Sequence, residues 1–173
     1  MEKYRLTDET INVNGITLYR IEALTYFNDV CEGDKGGFIE NERNLSQDDD
    51  CWVYDNAEVY GDASVYGDAR VCGNASVYGD AMVCGNASVY GDARVYGDAR
   101  VYGDAEIKSI GDYIVFKNWW SSGRYFTWTR SNNMWSVGCF YGSGEELIEK
   151  AYKDSEESGN EYKAIVEYVE SRL

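Results

Sequence analysis

From Val53 to Glu106 the apolar positions recur every six residues. Val stands at 53, 59, 65, 71, 77, 83, 89, 95 and 101, and Ala follows four places later in every hexad. Neither a helix nor an ordinary strand has that period, and a fixed six-residue repeat is the mark of a parallel β-helix. Strand alternation turns each Val inward and its neighbours outward. Gly-Asp or Gly-Asn then forms the corner, because that pair best tolerates positive φ. Ala faces inward where a triangular corner leaves little room. Collagen is excluded, since Gly comes every sixth residue and Pro is absent. The nine-residue calcium-binding repeat is excluded by its period.

The nine uninterrupted hexads, aliphatic with a small residue four later, resemble the hexapeptide-repeat, left-handed β-helix proteins. That resemblance implies three hexads per triangular coil, so 53–106 makes three coils. A core of Val and Ala is thin, and both ends of such a rod expose strand edges unless something covers them. The flanks are therefore expected to act as caps.

TINV-NG-ITLY (10–19) carries a hairpin signal, since Asn14-Gly15 supplies a type I′ turn between alternating strands. Ile39, Leu45 and Cys51 are spaced by six, in the register of the later Ala column. The helix is thus expected to begin near Gly37 with one imperfect coil. After Ile107 the register fails, and 113–141 holds ten aromatics and three bases but no acid. The expected form there is a three-strand meander, YIVF, GRYFTWTR and MWSVGCFY. Two amphipathic helices follow, over 144–155 and 160–172. The fold class is mainly β. An N-terminal β-hairpin cap (1–36) precedes a left-handed parallel β-helix of about three to four coils (37–110). A C-terminal α+β cap domain (111–173) completes the chain.

The formal net charge is −15, with no His. Residues 1–52 carry 12 acids and 5 bases, 53–106 carry 9 and 3, and 107–173 carry 10 and 8. A free nucleic acid is a poor partner for that surface, whereas a basic protein surface suits it. Solubility alone also explains the charge. Five Cys (31, 51, 72, 84 and 139) show no CxxC spacing and read as unpaired thiols. Cys72 and Cys84 are twelve residues apart, not the eighteen that would stack them. No stretch is long and apolar enough for a membrane span and no leader precedes Tyr4, so the expected location is the cytoplasm of a bacterial host.

Residues eighteen apart stack into columns. One side carries Tyr60, Tyr78 and Tyr96 beside Asp62, Asp80 and Asp98, both unbroken. The other two columns are interrupted by Cys72 and Cys84 in place of Tyr, with Asn at three of their six acidic corners. Three carboxylates in line repel one another, so their retention points to a cation, a basic partner surface or a neighbouring subunit. The structural alternative is corner capping by Asp and good strand packing by Tyr. In the C-terminal unit Trp119, Trp120, Arg124, Tyr125 and Arg130 combine aromatics with bases, which suits a nucleotide or single-stranded nucleic acid. Core filling explains the aromatics equally.

The family's enzymes are acyltransferases with a His base and a loop breaking the coil. This chain lacks both, so acyl transfer is not expected and no cofactor or metal is implied. Residues 1–106 also resemble phage- and prophage-encoded hexapeptide-repeat proteins. That resemblance implies a non-enzymatic interaction protein. Its expected partner is a host protein with a basic surface, such as a nucleic-acid-binding defence effector, giving an anti-CRISPR-like inhibitor. A nucleotide-binding module and a trimeric or dimeric assembly protein are the alternatives.

Overall fold

The computed structural model describes residues 2–173. Strands β1 (Tyr4–Val13) and β2 (Ile16–Ala23) form an antiparallel hairpin closed by Asn14 and Gly15, both at positive φ. Strand β3 (Lys35–Ile39) pairs antiparallel with β2 and parallel with Glu58–Val59 of the repeat, so it joins hairpin to repeat.

Ten two-residue strands follow, β4 to β13: Trp52–Val53, Glu58–Val59, Ser64–Val65, Arg70–Val71, Ser76–Val77, Met82–Val83, Ser88–Val89, Arg94–Val95, Arg100–Val101 and Glu106–Ile107. They stack in three parallel columns: β3-β5-β8-β11, β6-β9-β12 and β4-β7-β10-β13. Partners within the repeat are eighteen residues apart, as in Glu58↔Ser76 and Arg70↔Ser88. The result is a β-solenoid of about four turns. Every repeat Val and Ala is buried, forming one continuous core. Each corner glycine has positive φ, and a Cβ on Gly85 would meet the Gly103 nitrogen at 3.0 Å. Where one corner glycine stacks on the next, a side chain has little room.

The first turn departs from the expected register. Ile39 and Leu45 pair with Val59 and Val65, so they occupy the Val column and not the Ala column. Cys51 alone keeps the Ala position, next to Trp52 paired with Arg70. The two extra residues lie between Leu45 and Cys51. That longer turn carries Gln47, which accepts from the Lys3 and Tyr4 backbone N–H groups and donates to the Tyr4 carbonyl. The insertion thus holds the start of β1 onto the solenoid.

Beyond Ile107 a 3-10 turn at Ile110–Asp112 leads into β14 (Tyr113–Lys117), β15 (Tyr125–Thr129), β16 (Met134–Val137) and β17 (Phe140–Gly142). The sheet has four strands and not three. Gly138, at φ +60°, folds the expected third strand back on itself. Helices α1 (Gly144–Asp154) and α2 (Glu156–Glu170) pack on one face of the sheet over Phe126, Trp128, Trp135 and Val137. α2 begins four residues before the expected 160, because Ser155 ends α1 and its side chain also caps α2. Gly159 lies within α2 where a Cβ would strike the Tyr152 ring.

The opposite sheet face meets the last solenoid turn, which explains why Thr127, Thr129 and Ser136 are buried. At least one hydrogen bond secures each column's open end. The Tyr113 hydroxyl donates to the Arg94 carbonyl at 3.0 Å. Thr127 Oγ1 accepts from the Arg100 N–H at 3.0 Å, and Ser131 Oγ from the Glu106 N–H at 2.7 Å.

Candidate interaction surface

The Tyr60, Tyr78 and Tyr96 rings stand outward because they follow inward Val residues in β5, β8 and β11. Their neighbours stack almost parallel, with centroids 5.1 and 5.3 Å apart and planes tilted by 4° and 10°. Each such contact adds roughly 0.5–1.5 kcal/mol beyond area burial. Only the ladder's outer side is left for another molecule. Tyr96, at the C-terminal end, is the most open.

Asp62, Asp80 and Asp98 line the adjoining corner. Asp62 meets Arg43 at 3.4 Å, an exposed ion pair of small energetic weight. Asp80 is exposed, and Asp98 is half-buried beneath the C-terminal sheet. The other two corners relieve like-charge repulsion as the sequence suggests. Asn74 Nδ2 donates to Asp92 at 3.2 Å, and Asn86 Nδ2 to Asp104 at 3.0 Å. The Asp62–Asp80–Asp98 corner has no amide between its carboxylates, so it remains the most concentrated acidic line on the rod.

The five C-terminal candidates do not gather in one place. Trp119 and Trp120 are both open, at 76% and 73% exposure, in the turn after β14. Tyr125 starts β15 directly opposite Lys117. Arg124 points to the helix side, in a crevice with Phe140, Lys150 and Asp154. Arg130 lies at the other end of β15, near Asp112 and Ser131.

Sequence reasoning missed Lys117. Its Nζ sits 4.9 Å above the Trp119 ring and 5.4 Å above Tyr125, so the cation associated with the exposed aromatics is Lys117 and neither Arg. Strand alternation within the candidate hairpin was the signal that could have found it. The nearby Asp98 carboxylate, with a smaller effect from Asp80, holds the Tyr125 pKa above the ordinary phenol value. The aromatic–basic cluster and the carboxylate ladder therefore meet at Tyr125.

Two tyrosines frame the same rod, Tyr113 buried and Tyr66 half-buried. Burial pushes the Tyr113 hydroxyl up to about 12, and burial raises Tyr66 beside Cys84 and Tyr102. All five cysteines are free thiols. No helix is long and apolar enough to cross a membrane among the described residues.

Comparison with known sequences agrees with this architecture. The YdcK beta solenoid repeat family matches at residues 69–85 and 93–105. The chain is a β-solenoid repeat protein. It is similar to "Uncharacterized acetyltransferase YdcK" of Escherichia coli (strain K12), 40% identical over 72 residues. The match takes in 36% of this chain and 22% of that protein, so the chain spans about a fifth of its relative's length.

Proposed function

We propose that this chain is a non-enzymatic interaction protein of phage or prophage type, a left-handed β-helix that binds a basic surface on a host protein. The observation carrying this is the unbroken Tyr60–Tyr78–Tyr96 stack beside the Asp62–Asp80–Asp98 line. Flat aromatics next to regularly spaced carboxylates offer a nucleic-acid-binding protein both stacking faces and charge, in the manner of a decoy. An anti-defence inhibitor is the role that combines this chemistry with the phage-like resemblance of residues 1–106. The expected setting is the cytoplasm of the host. The experiment is capture from host lysate followed by elution with duplex DNA. Nucleic-acid-handling proteins retained by the wild type and lost from the Tyr60→Ala, Tyr78→Ala, Tyr96→Ala variant support the reading. Identical capture by both removes the ladder from it.

A nucleotide or single-stranded nucleic acid at Trp119, Trp120, Tyr125 and Lys117 is a second reading, favoured by the two open indoles. Titration calorimetry with nucleotides tests it, and binding that survives Trp120→Ala excludes the loop. The relative's name raises acetyl transfer. The absence of His and the unbroken run of hexads support a chain without it. Acetyl-CoA turnover by the purified chain would overturn that part.

A further inference from the structure

Strand β14 is an outer edge of the C-terminal sheet, paired with β15 alone. An unpaired edge presents a row of N–H and C=O groups to any further strand, and soluble proteins usually defend such edges. Two other sheet edges show those defences. β1 is interrupted between Leu6 and Thr10, where Asp8 and Glu9 stand, and β17 is only three residues long. β14 has no such device. It keeps unbroken register with β15 over Tyr113–Lys117, and its sole charge, Lys117, is folded onto Trp119 and Tyr125. Beside it runs an apolar groove of about 290 Å³ lined by Ile114, Phe116, Ala164, Ile165, Tyr168 and Val169.

We infer that a second copy of this chain occupies this edge. Antiparallel pairing of β14 with β14 about a two-fold axis at Val115 sets Ile114 against Phe116 of the second copy, and Tyr113 against Lys117. Neither pairing opposes like charges, so the strand is complementary to itself, as an isologous interface requires. The two sheets merge into one of eight strands. The two-fold also brings the two apolar grooves together.

The charge distribution selects this end of the molecule. Residues 107–173 carry 10 acids and 8 bases, whereas 1–52 carry 12 and 5 and 53–106 carry 9 and 3. Two copies therefore repel least through the last third of the chain. A five-residue strand alone is small against the roughly 800 Å² per partner of a stable interface. The grooves, with Tyr168 61% exposed, extend the apolar contact beyond the strand. This inference does not depend on the Tyr and Asp ladders.

Sedimentation equilibrium of the full chain tests it. A species of twice the 19.6 kDa chain mass is expected. Ile114→Lys and, separately, Tyr168→Glu should each weaken association at least about tenfold. The triple Tyr60, Tyr78 and Tyr96 to Ala variant should remain dimeric. Amide exchange in β14 should slow as protein concentration rises. A monomer at about 100 µM overturns the inference, with or without a foreign protein bound. So does association that withstands Tyr168→Glu, or a trimer lost in the triple Tyr variant, which would place the contact on the coil faces.

Discussion

Thr127 Oγ1 accepts the backbone N–H of Arg100 at 3.0 Å, joining the middle of a C-terminal strand to an open end of the solenoid. Arg100 also donates from Nη1 to the Gly138 carbonyl at 2.7 Å, so two bonds meet at one residue. Thr127 is buried, and replacing its hydroxyl by a methyl leaves an orphaned N–H. Thr127→Val should therefore cost about 1–3 kcal/mol in urea unfolding, while Thr127→Ser keeps most of it. Equal stability of the two variants would show that the bond contributes nothing.

The corner glycines separate strain from collision. Gly97 has φ +65° and open space at its Cβ position, so Gly97→Ala adds only conformational strain, about 1 kcal/mol. Gly85 has φ +72° and the Gly103 nitrogen at 3.0 Å from a Cβ, so Gly85→Ala should cost about 2 kcal/mol or more. Thermal melts of the two variants check the order.

The Asn positions on the interrupted corners test charge relief. Asn74→Asp and Asn86→Asp each replace an amide donor by a carboxylate facing Asp92 or Asp104. The double variant should melt lower at low ionic strength and recover in salt on the order of 0.5 M, where screening is nearly complete. A melting point independent of salt would show that the repulsion is negligible.

Alkali should unfold the protein in a defined window. Burial raises the Tyr113 pKa to about 12 in the folded chain, above the roughly 10 of an unfolded tyrosine. A raised folded value means this contribution is fully present below pH about 10 and is lost as pH rises toward 12. Melting temperature should fall across that window. Tyr113→Phe should reduce the fall without abolishing it, because burial also raises Tyr4, Tyr54 and Tyr66.

Tyr125 reports the junction between its own strand and the carboxylate corner. The negative charge of Asp98 opposes ionisation of the Tyr125 phenol, so Asp98→Asn should lower the Tyr125 pKa toward the ordinary value. Ultraviolet difference titration against a Tyr125→Phe reference measures this. An unchanged titration would separate the two residues in solution.

The inward Val and Ala columns were legible because period six has one structural solution, and the eighteen-residue stacking followed from it. The Tyr ladder was legible for the same reason. What escaped was non-periodic. Ile39 and Leu45 look like members of the Ala column by spacing, yet the insertion after Leu45 serves a tertiary contact with Lys3 and Tyr4 that local pattern does not encode. Gly138 divided an apparent strand through its positive φ. Lys117 was passed over in favour of Arg124 and Arg130 because composition locates charge without saying which way strand alternation points it.

Because each turn touches only its neighbours, the separation between the hairpin and the helical end is quantised. Deleting or duplicating any eighteen-residue block, such as 71–88, should move the two ends by about 4.8 Å while keeping every column intact. The molecule is in that sense a graduated ruler, with its length written in whole turns.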